Sequence, residues 1–562
     1  MLPPPSVGSA TIPPGEQATT IPTPSPTPAP SSAGKIVSGA LAVTVSDRIR
    51  VRSAPRVADD SQKYTPLLPI GTQLVVTGGP VAASRYTWFR VAPVGFQLDG
   101  GVDQGWVAIA DHDGTPWVSL ASDPTPGYEL ASAVLASPKV DLAAAKAEAK
   151  ALNAFGLALY IDLLRDPKAA IGNGGAVVSP ASITLALAMA RAGAKGDTGA
   201  QMDKVLRVAG WSELAEGLGS LSSLLASRDA GWSDRWDGTQ HQLALRIANM
   251  TFAQDGYPIE SAFLDRIGKA FGSGLGLVDY IRDAEAARQA INGWVSRQTL
   301  GRIPELLKQP SVTGATRLVL VNAMYLKAEW ARPFDPEQTA DRAFKTPSGS
   351  TTRVPTMTLL GRQDIVLASG NGWRATELRY LGAENGRPLA MTLILPDDLQ
   401  AFESRLTAGR LASIQQAISV ERRRLSNATE ATGLDDCGSY PYNVRLYLPR
   451  FGIDTRADLG DLLKGLGMPL AFDPDRANFS GMTTADPLHI GFVVHQANID
   501  VDEKGTEAAA ATAVGMDTGG CTGPVPLKTR VLRLNQPFMF VLRDTETGAV
   551  LFMGRVTDPS ER

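Results

Sequence analysis

The chain has 562 residues, 44% hydrophobic and 20% charged, and its 54 lysines and arginines against 57 aspartates and glutamates leave a net charge of -3. That balance offers no field for nucleic acid or an anionic membrane, and no apolar run in the sequence is long enough to span a bilayer. Two cysteines, Cys437 and Cys521, exclude a disulfide scaffold and a cysteine-based zinc cluster but leave room for one bridge.

The amino terminus, MLPPPSVGSA, lacks the basic start and apolar core of a signal peptide, so a leader was either removed before this numbering or is absent. Residues 1–37 are rich in Pro, Ser and Thr, cannot bury a core, and are expected to form a disordered tether. Residues 38–121 carry short strand patterns: RIRVRSAP at 48–55, GTQLVVTG at 71–78, WFRVAP at 88–93 and QGWVA at 104–108. Together they predict a small all-β barrel. The order of these segments resembles bacterial SH3-like domains, which implies either a spacer or a binder of a cell-wall ligand. Residues 122–145, with Pro124, Pro126 and Gly127, read as a linker.

The remainder, 146–562, mixes helix and strand as one large α+β domain. Leu152, Phe155, Leu159 and Leu163 recur at helical spacing. Residues 291–307 read as helix until Gly301, whereas 317–326 and 391–395 have the continuous apolar content of buried strands. Near the carboxyl end, HQANIDV at 495–501 alternates like a strand and VLRLNQPFMFVLR at 531–543 is β-rich. Between them stands EKGTEAAAAT, residues 503–512. Alone it favours helix, with Thr506 as N-cap, but such a helix would have no apolar face to pack. Its place between two strands, followed by a Gly-rich and largely uncharged stretch, suits a long loop.

Several motifs in order give the main domain a family resemblance. NGGAVVSPASITLALAMARAGAKGDT at 173–198 is followed by LVNAMYLKAEW at 320–330 and LYLPRF at 446–451, then VDEKGTEAAAAT at 501–512 and NQPFMFVLRDTETGAVLFMGRV at 535–556. The chain resembles a serpin, of bacterial type given the SH3-like segment. The resemblance implies a large central β-sheet with smaller sheets and about nine helices. It also implies an inhibitor: a target protease cuts the exposed loop, and the freed segment inserts into the main sheet. Loop insertion in this family is itself a standing example of strand addition and of strain release.

An inserting strand turns alternate side chains into the core, so the hinge residues must be small. Here the hinge is Glu503, Gly505, Thr506, Ala508, Ala509, Ala510, Ala511 and Thr512, with Thr506, Ala508, Ala510 and Thr512 inward. By the same resemblance Arg450 and Glu503 form the pair at the loop base, and Ser179, Ser182, Asn322 and His495 form the polar shutter beneath the strands. The usual spacing from Glu503 places the cleaved bond at Gly519–Gly520, which suggests an elastase-like or subtilisin-like serine protease, a cysteine protease being the alternative. The loop is longer than usual, so Met516, Thr518 and Cys521 stay as candidates. Cys437 and Cys521 could bridge at one pole of the molecule, or remain two thiols.

Residues 211–227, near where heparin-binding serpins carry basic side chains, contain no Lys or Arg, so no heparin cofactor is expected. The four histidines have no metal spacing, and there is no nucleophile elbow and no phosphate loop. The expectation is therefore a monomeric inhibitor without cofactor, not an enzyme, acting outside the cell or at its surface. The alternative is a non-inhibitory serpin-fold carrier held at a cell wall by the SH3-like domain.

Overall fold

The computed structural model describes residues 41–93, 98, 102, 104–120, 128–131, 140–166, 169–228, 230–233, 240–271, 275–299, 301–361, 365–382, 388–431, 442–506 and 528–561. Residues 36–562 hold together as one unit.

The amino-terminal part is a five-stranded antiparallel sheet. Its strands are Leu41–Thr44, Gln73–Ala83, Tyr86–Pro93, Gly105–Ala108 and Val118–Leu120, with the first strand lying between the second and the fifth. Val51, Leu68, Leu74, Val91 and Val107 are fully buried in its own core. The segment 48–55, expected as a strand, makes only isolated bridges, from Ile49 to Leu68 and from Arg52 to Lys63 and Trp106. Arg48, with φ 59, enters the segment in a left-handed turn.

Residues 129–131, inside the expected linker, are also ordered as strand. β1 (Glu129–Ala131) pairs antiparallel with β3 (Leu275–Val278) and covers what would otherwise be an open sheet edge. The first long helix, α1 (Leu142–Leu163), starts before residue 146, because the Asp141 carboxylate caps it by accepting from the N–H groups of Ala143 and Ala144.

Among the described residues the main sheet has nine strands. Its central members are β2 (Gln240–Gln254), β4 (Leu318–Glu329), β5 (Phe451–Asp458), β6 (Val494–Val501) and β7 (Gly505–Thr506). The order across the sheet is β1-β3-β2-β4-β7-β6-β5, with Ala170–Ile171 beyond β5 and Ala230–Ser233 paired to β2 off this path. A four-stranded sheet (Ala340–Lys345, Thr351–Gly361, Asn443–Pro449, Thr529–Arg533) and a six-stranded sheet complete the domain. The β-rich run at 531–543 is thus two strands in two different sheets, parted at Gln536–Pro537.

Both faces of the main sheet are covered. Behind it, α2 (Pro180–Arg191) runs through the largest core, together with Met324, Leu326, Ala328, Ala497, Ile499 and Val501. In front, α3 (Ala284–Gln298) buries Ile291, Trp294 and Val295 against Phe252, Val319 and Val321. Neighbouring residues of β4 therefore serve opposite cores, as the pleat requires.

Candidate functional site: the seam between β4 and β6

Two residues of the predicted hinge already stand between β4 and β6. Gly505 and Thr506 pair with Glu329 and Ala328 on one side, and Thr506 pairs with Val501 on the other. Below that step, β4 and β6 have no ladder between them among the described residues.

A tight turn feeds this short strand. The Asp502 carboxylate accepts from the N–H of Lys504 at 2.8 Å and of Gly505 at 3.1 Å, and the Asp502 N–H donates to the Gly505 carbonyl at 3.0 Å. Glycine is needed at 505 because a Cβ there would lie 2.0 Å from the Ala328 carbonyl oxygen. Thr506 is 2% exposed, and its hydroxyl is 2.6 Å from that of Tyr380. Tyr380 in turn stacks on Trp330 at 4.5 Å, and the Trp330 indole N–H donates to the Asp502 carbonyl at 3.0 Å.

Glu503 anchors the turn from below. Its Oε1 receives Arg450 Nη2 at 2.7 Å, Arg450 Nε at 2.8 Å and the Thr339 hydroxyl at 2.6 Å. Burial alone would push this carboxyl up, but the hydrogen bonds from Arg450 and Thr339 outweigh it and hold it below its ordinary value. The carboxylate is therefore charged and paired.

Of the four residues assigned to the polar shutter, Ser179, Ser182 and His495 lie together. The Ser179 backbone N–H donates to His495 Nε2 at 3.2 Å, so that nitrogen carries no proton. Burial of the ring pulls its pKa down to about 4. The Ser179 hydroxyl caps α2 by accepting from the Ser182 N–H at 3.3 Å and donates to the Met324 sulfur at 3.3 Å. Ser182 is 1% exposed and meets His495 only through Ser179 among the described bonds. Asn322 takes its place in β4, opposite Asn249 of β2.

Ala508, Ala509, Ala510, Ala511, Thr512, Met516, Thr518, Gly519, Gly520, Cys437 and Cys521 lie outside the described residues. Three contributors carry no clear mark in the sequence: Tyr380, Trp330 and Thr339. Trp330 closes the LVNAMYLKAEW motif and could have been singled out there; nothing local marks Tyr380, which is 126 residues from Thr506.

A sheet with a short hinge strand between two long central strands and a paired charge beside it points to a particular class of protein, and comparison with known proteins names it. The model of the family "Serpin (serine protease inhibitor)" matches residues 150–559, and the chain belongs to that family. It is 35% identical over 386 residues to a leukocyte elastase inhibitor of Bos taurus, covering 69% of this chain and 93% of the relative. It is 30% identical to an uncharacterized serpin-like protein of Methanosarcina mazei, over 73% of this chain and 87% of that one. The crystal structure of the thermophilic serpin tengpin in its native state shares the fold, with TM-score 0.59 and 24% identity, covering 76% of this chain and 97% of tengpin. Cleaved Serpin 42Da superposes with TM-score 0.57 at 27% identity, covering 74% of this chain and 99% of that one.

Proposed function

We propose that this chain is an inhibitory serpin that traps a serine endopeptidase as a suicide substrate: the enzyme cuts the loop after β7, and the severed segment inserts along the seam. The observation that carries this reading is the register of β7. Continuing the pairing of Thr506 with Ala328 and Val501 sets residue 508 opposite Leu326 and Ile499, 510 opposite Met324 and Ala497, and 512 opposite Asn322 and His495. Ala508, Ala510 and Thr512 would thus turn into the same core as Thr506, and all are small enough to enter it.

Further along, Val514 and Met516 would reach Leu320 and Leu318, the start of β4. A cavity of about 380 Å³ lies there, with those two leucines, Phe479, Met482 and Ile490 on its apolar side and Thr316, Arg317 and His489 among its polar lining. Apolar side chains at 514 and 516 suit the apolar side. About fourteen inserted residues at about 3.3 Å each would carry an attached enzyme some 45 Å, from one pole toward the other.

Small residues at Gly519–Gly520 and the relatives named leukocyte elastase inhibitor support an elastase-like target, a subtilisin-like protease being of the same preference. The amino-terminal sheet, as an SH3-like barrel, would place the inhibitor outside the cell or at its wall. The test is incubation of the full chain with elastase-like and subtilisin-like proteases, followed by denaturing electrophoresis. A detergent-resistant adduct is expected; quantitative cleavage by every protease without adduct would overturn the proposal.

A further inference from the structure

Helix α3 does not rest on the main sheet alone. Val43, from the first strand of the amino-terminal sheet, is 2% exposed and belongs to the same core as Ile291, Trp294 and Val295. So does Tyr128, 5% exposed, whose ring meets Phe252 edge-on at 5.4 Å, while Phe252 meets Trp294 at 5.8 Å. The next three residues form β1, the edge strand of the main sheet. The third link is polar. Gln298, the last residue of α3, donates its side-chain N–H to the Ile70 carbonyl at 2.7 Å. Adjacent Gly71, with φ +82, permits that approach, since a Cβ there would lie 2.1 Å from the Gln298 nitrogen.

The segment after Gln298 reaches across the seam. The chain turns at Gly301, with φ +80, and runs across the front of the sheet. Arg302 pairs with Asp500 of β6 at 3.4 Å, and the Leu306 carbonyl accepts from Arg456 of β5 at 2.9 Å. Asn292 of α3 holds Leu307 from both sides, accepting from its N–H at 2.8 Å and donating to its carbonyl at 2.9 Å. This strap therefore leaves α3, which lies over β2 and β4, and reaches β6 and β5 on the far side of the seam. On the insertion mechanism proposed for the chain, a strand entering between β4 and β6 would have to displace this strap, which is rooted at the end of α3 that meets the amino-terminal sheet.

We infer that the amino-terminal sheet is a clamp on α3, and that Val43, Tyr128 and Gln298 are positioning residues that slow the opening of the seam. This rests on the strand-insertion mechanism proposed for the chain. The clamp leaves loop cleavage untouched and slows opening of the seam both before and after the cut, so it lengthens the life of the uncut inhibitor and lowers the fraction of cuts that end in trapping.

The full chain is tested as Gln298→Ala, which removes one hydrogen bond, and as Tyr128→Leu, which keeps an apolar side chain should a smaller one prevent folding. Three readouts are compared with wild type: the half-life of inhibitory activity on warm incubation, the ratio of adduct to cleaved monomer, and backbone amide exchange over 301–308. The expected result is a half-life shortened several-fold, a higher adduct fraction, and faster exchange in the strap. Wild-type values for all three, with melting temperatures of cut and uncut forms falling equally, would show ordinary packing and overturn the clamp. If wild type itself forms no adduct, the inhibitory reading fails, while amide exchange still decides the clamp: unchanged exchange in both variants refutes it, and faster exchange in the strap upholds it.

Discussion

Arginine in place of Thr506 probes the seam at its mouth. Thr506 is 2% exposed between Ala328 and Val501, and its hydroxyl lies 2.6 Å from that of Tyr380. The substitution forfeits that hydrogen bond, about 1 kcal/mol net, and demands burial of a guanidinium whose desolvation costs several kcal/mol even after relaxation. The side chain avoids that cost only by withdrawing β7 from the sheet, which blocks every residue behind it from entering. An added insertion barrier of at least about 3 kcal/mol slows the step roughly 150-fold. On the proposed mechanism trapping competes with completion of hydrolysis by the protease, so the adduct should fall to the order of 1% of cuts while cleavage continues. Denaturing electrophoresis of a protease titration reads both products in one lane. Thr506→Val, which keeps the volume and leaves the buried Tyr380 hydroxyl short of its partner, should give an intermediate yield. Covalent adduct from the arginine variant at wild-type yield would refute the reasoning.

Other perturbations address the supports of the seam. His495 is neutral with a pKa of about 4 in the folded chain, against about 6.5 when exposed, so the unfolded chain binds the proton first. Its contribution is complete above about pH 6.5 and is lost as pH falls toward 4, up to roughly 3 kcal/mol; urea midpoints across that range check it, and no extra loss relative to His495→Ala would contradict it. His495→Ala also strands the Ser179 N–H and should promote spontaneous insertion or polymers on mild heating; a monomer unchanged on native gels would count against that. Arg450→Ala leaves the Glu503 carboxylate buried with Thr339 as its remaining side-chain partner, a loss on the order of 1 to 2 kcal/mol given that Arg450 is itself about a third exposed. The uncut form should melt earlier; an unchanged melting temperature would remove the pair from the account. Gly505→Ala forces a Cβ onto the Ala328 carbonyl and should expel β7, read as faster backbone amide exchange at Gly505 and Thr506. Exchange at the wild-type rate would show that the strand tolerates the extra atom.

The parts of this site that sequence made legible are those set by local chemistry. The Gly505–Thr506 step, the apolar alternation of 495–501 and the charged residues Arg450 and Glu503 each carry their own signal, and Arg450 and Glu503 do meet. The illegible parts depend on distant chain. Nothing near Tyr380 announces that its hydroxyl meets Thr506, and the pairing of Gly505 and Thr506 depends on β4 and on β6, which no local pattern around them marks. Val43 and Tyr128 read as ordinary apolar positions of a small sheet and a linker, because burial against α3 leaves no mark on neighbouring residues. The segment 48–55 misled for the opposite reason: its alternation is real, but a left-handed Arg48 and single bridges replace the ladder.

The central claim is that the uncut chain stores a conformation less stable than the one it reaches when the loop is severed. Thermal unfolding of the full chain, before and after a single nick between residues 507 and 527, tests it most directly. A clear rise in melting temperature on nicking is the predicted result; a melting temperature that stays put or falls would contradict the account.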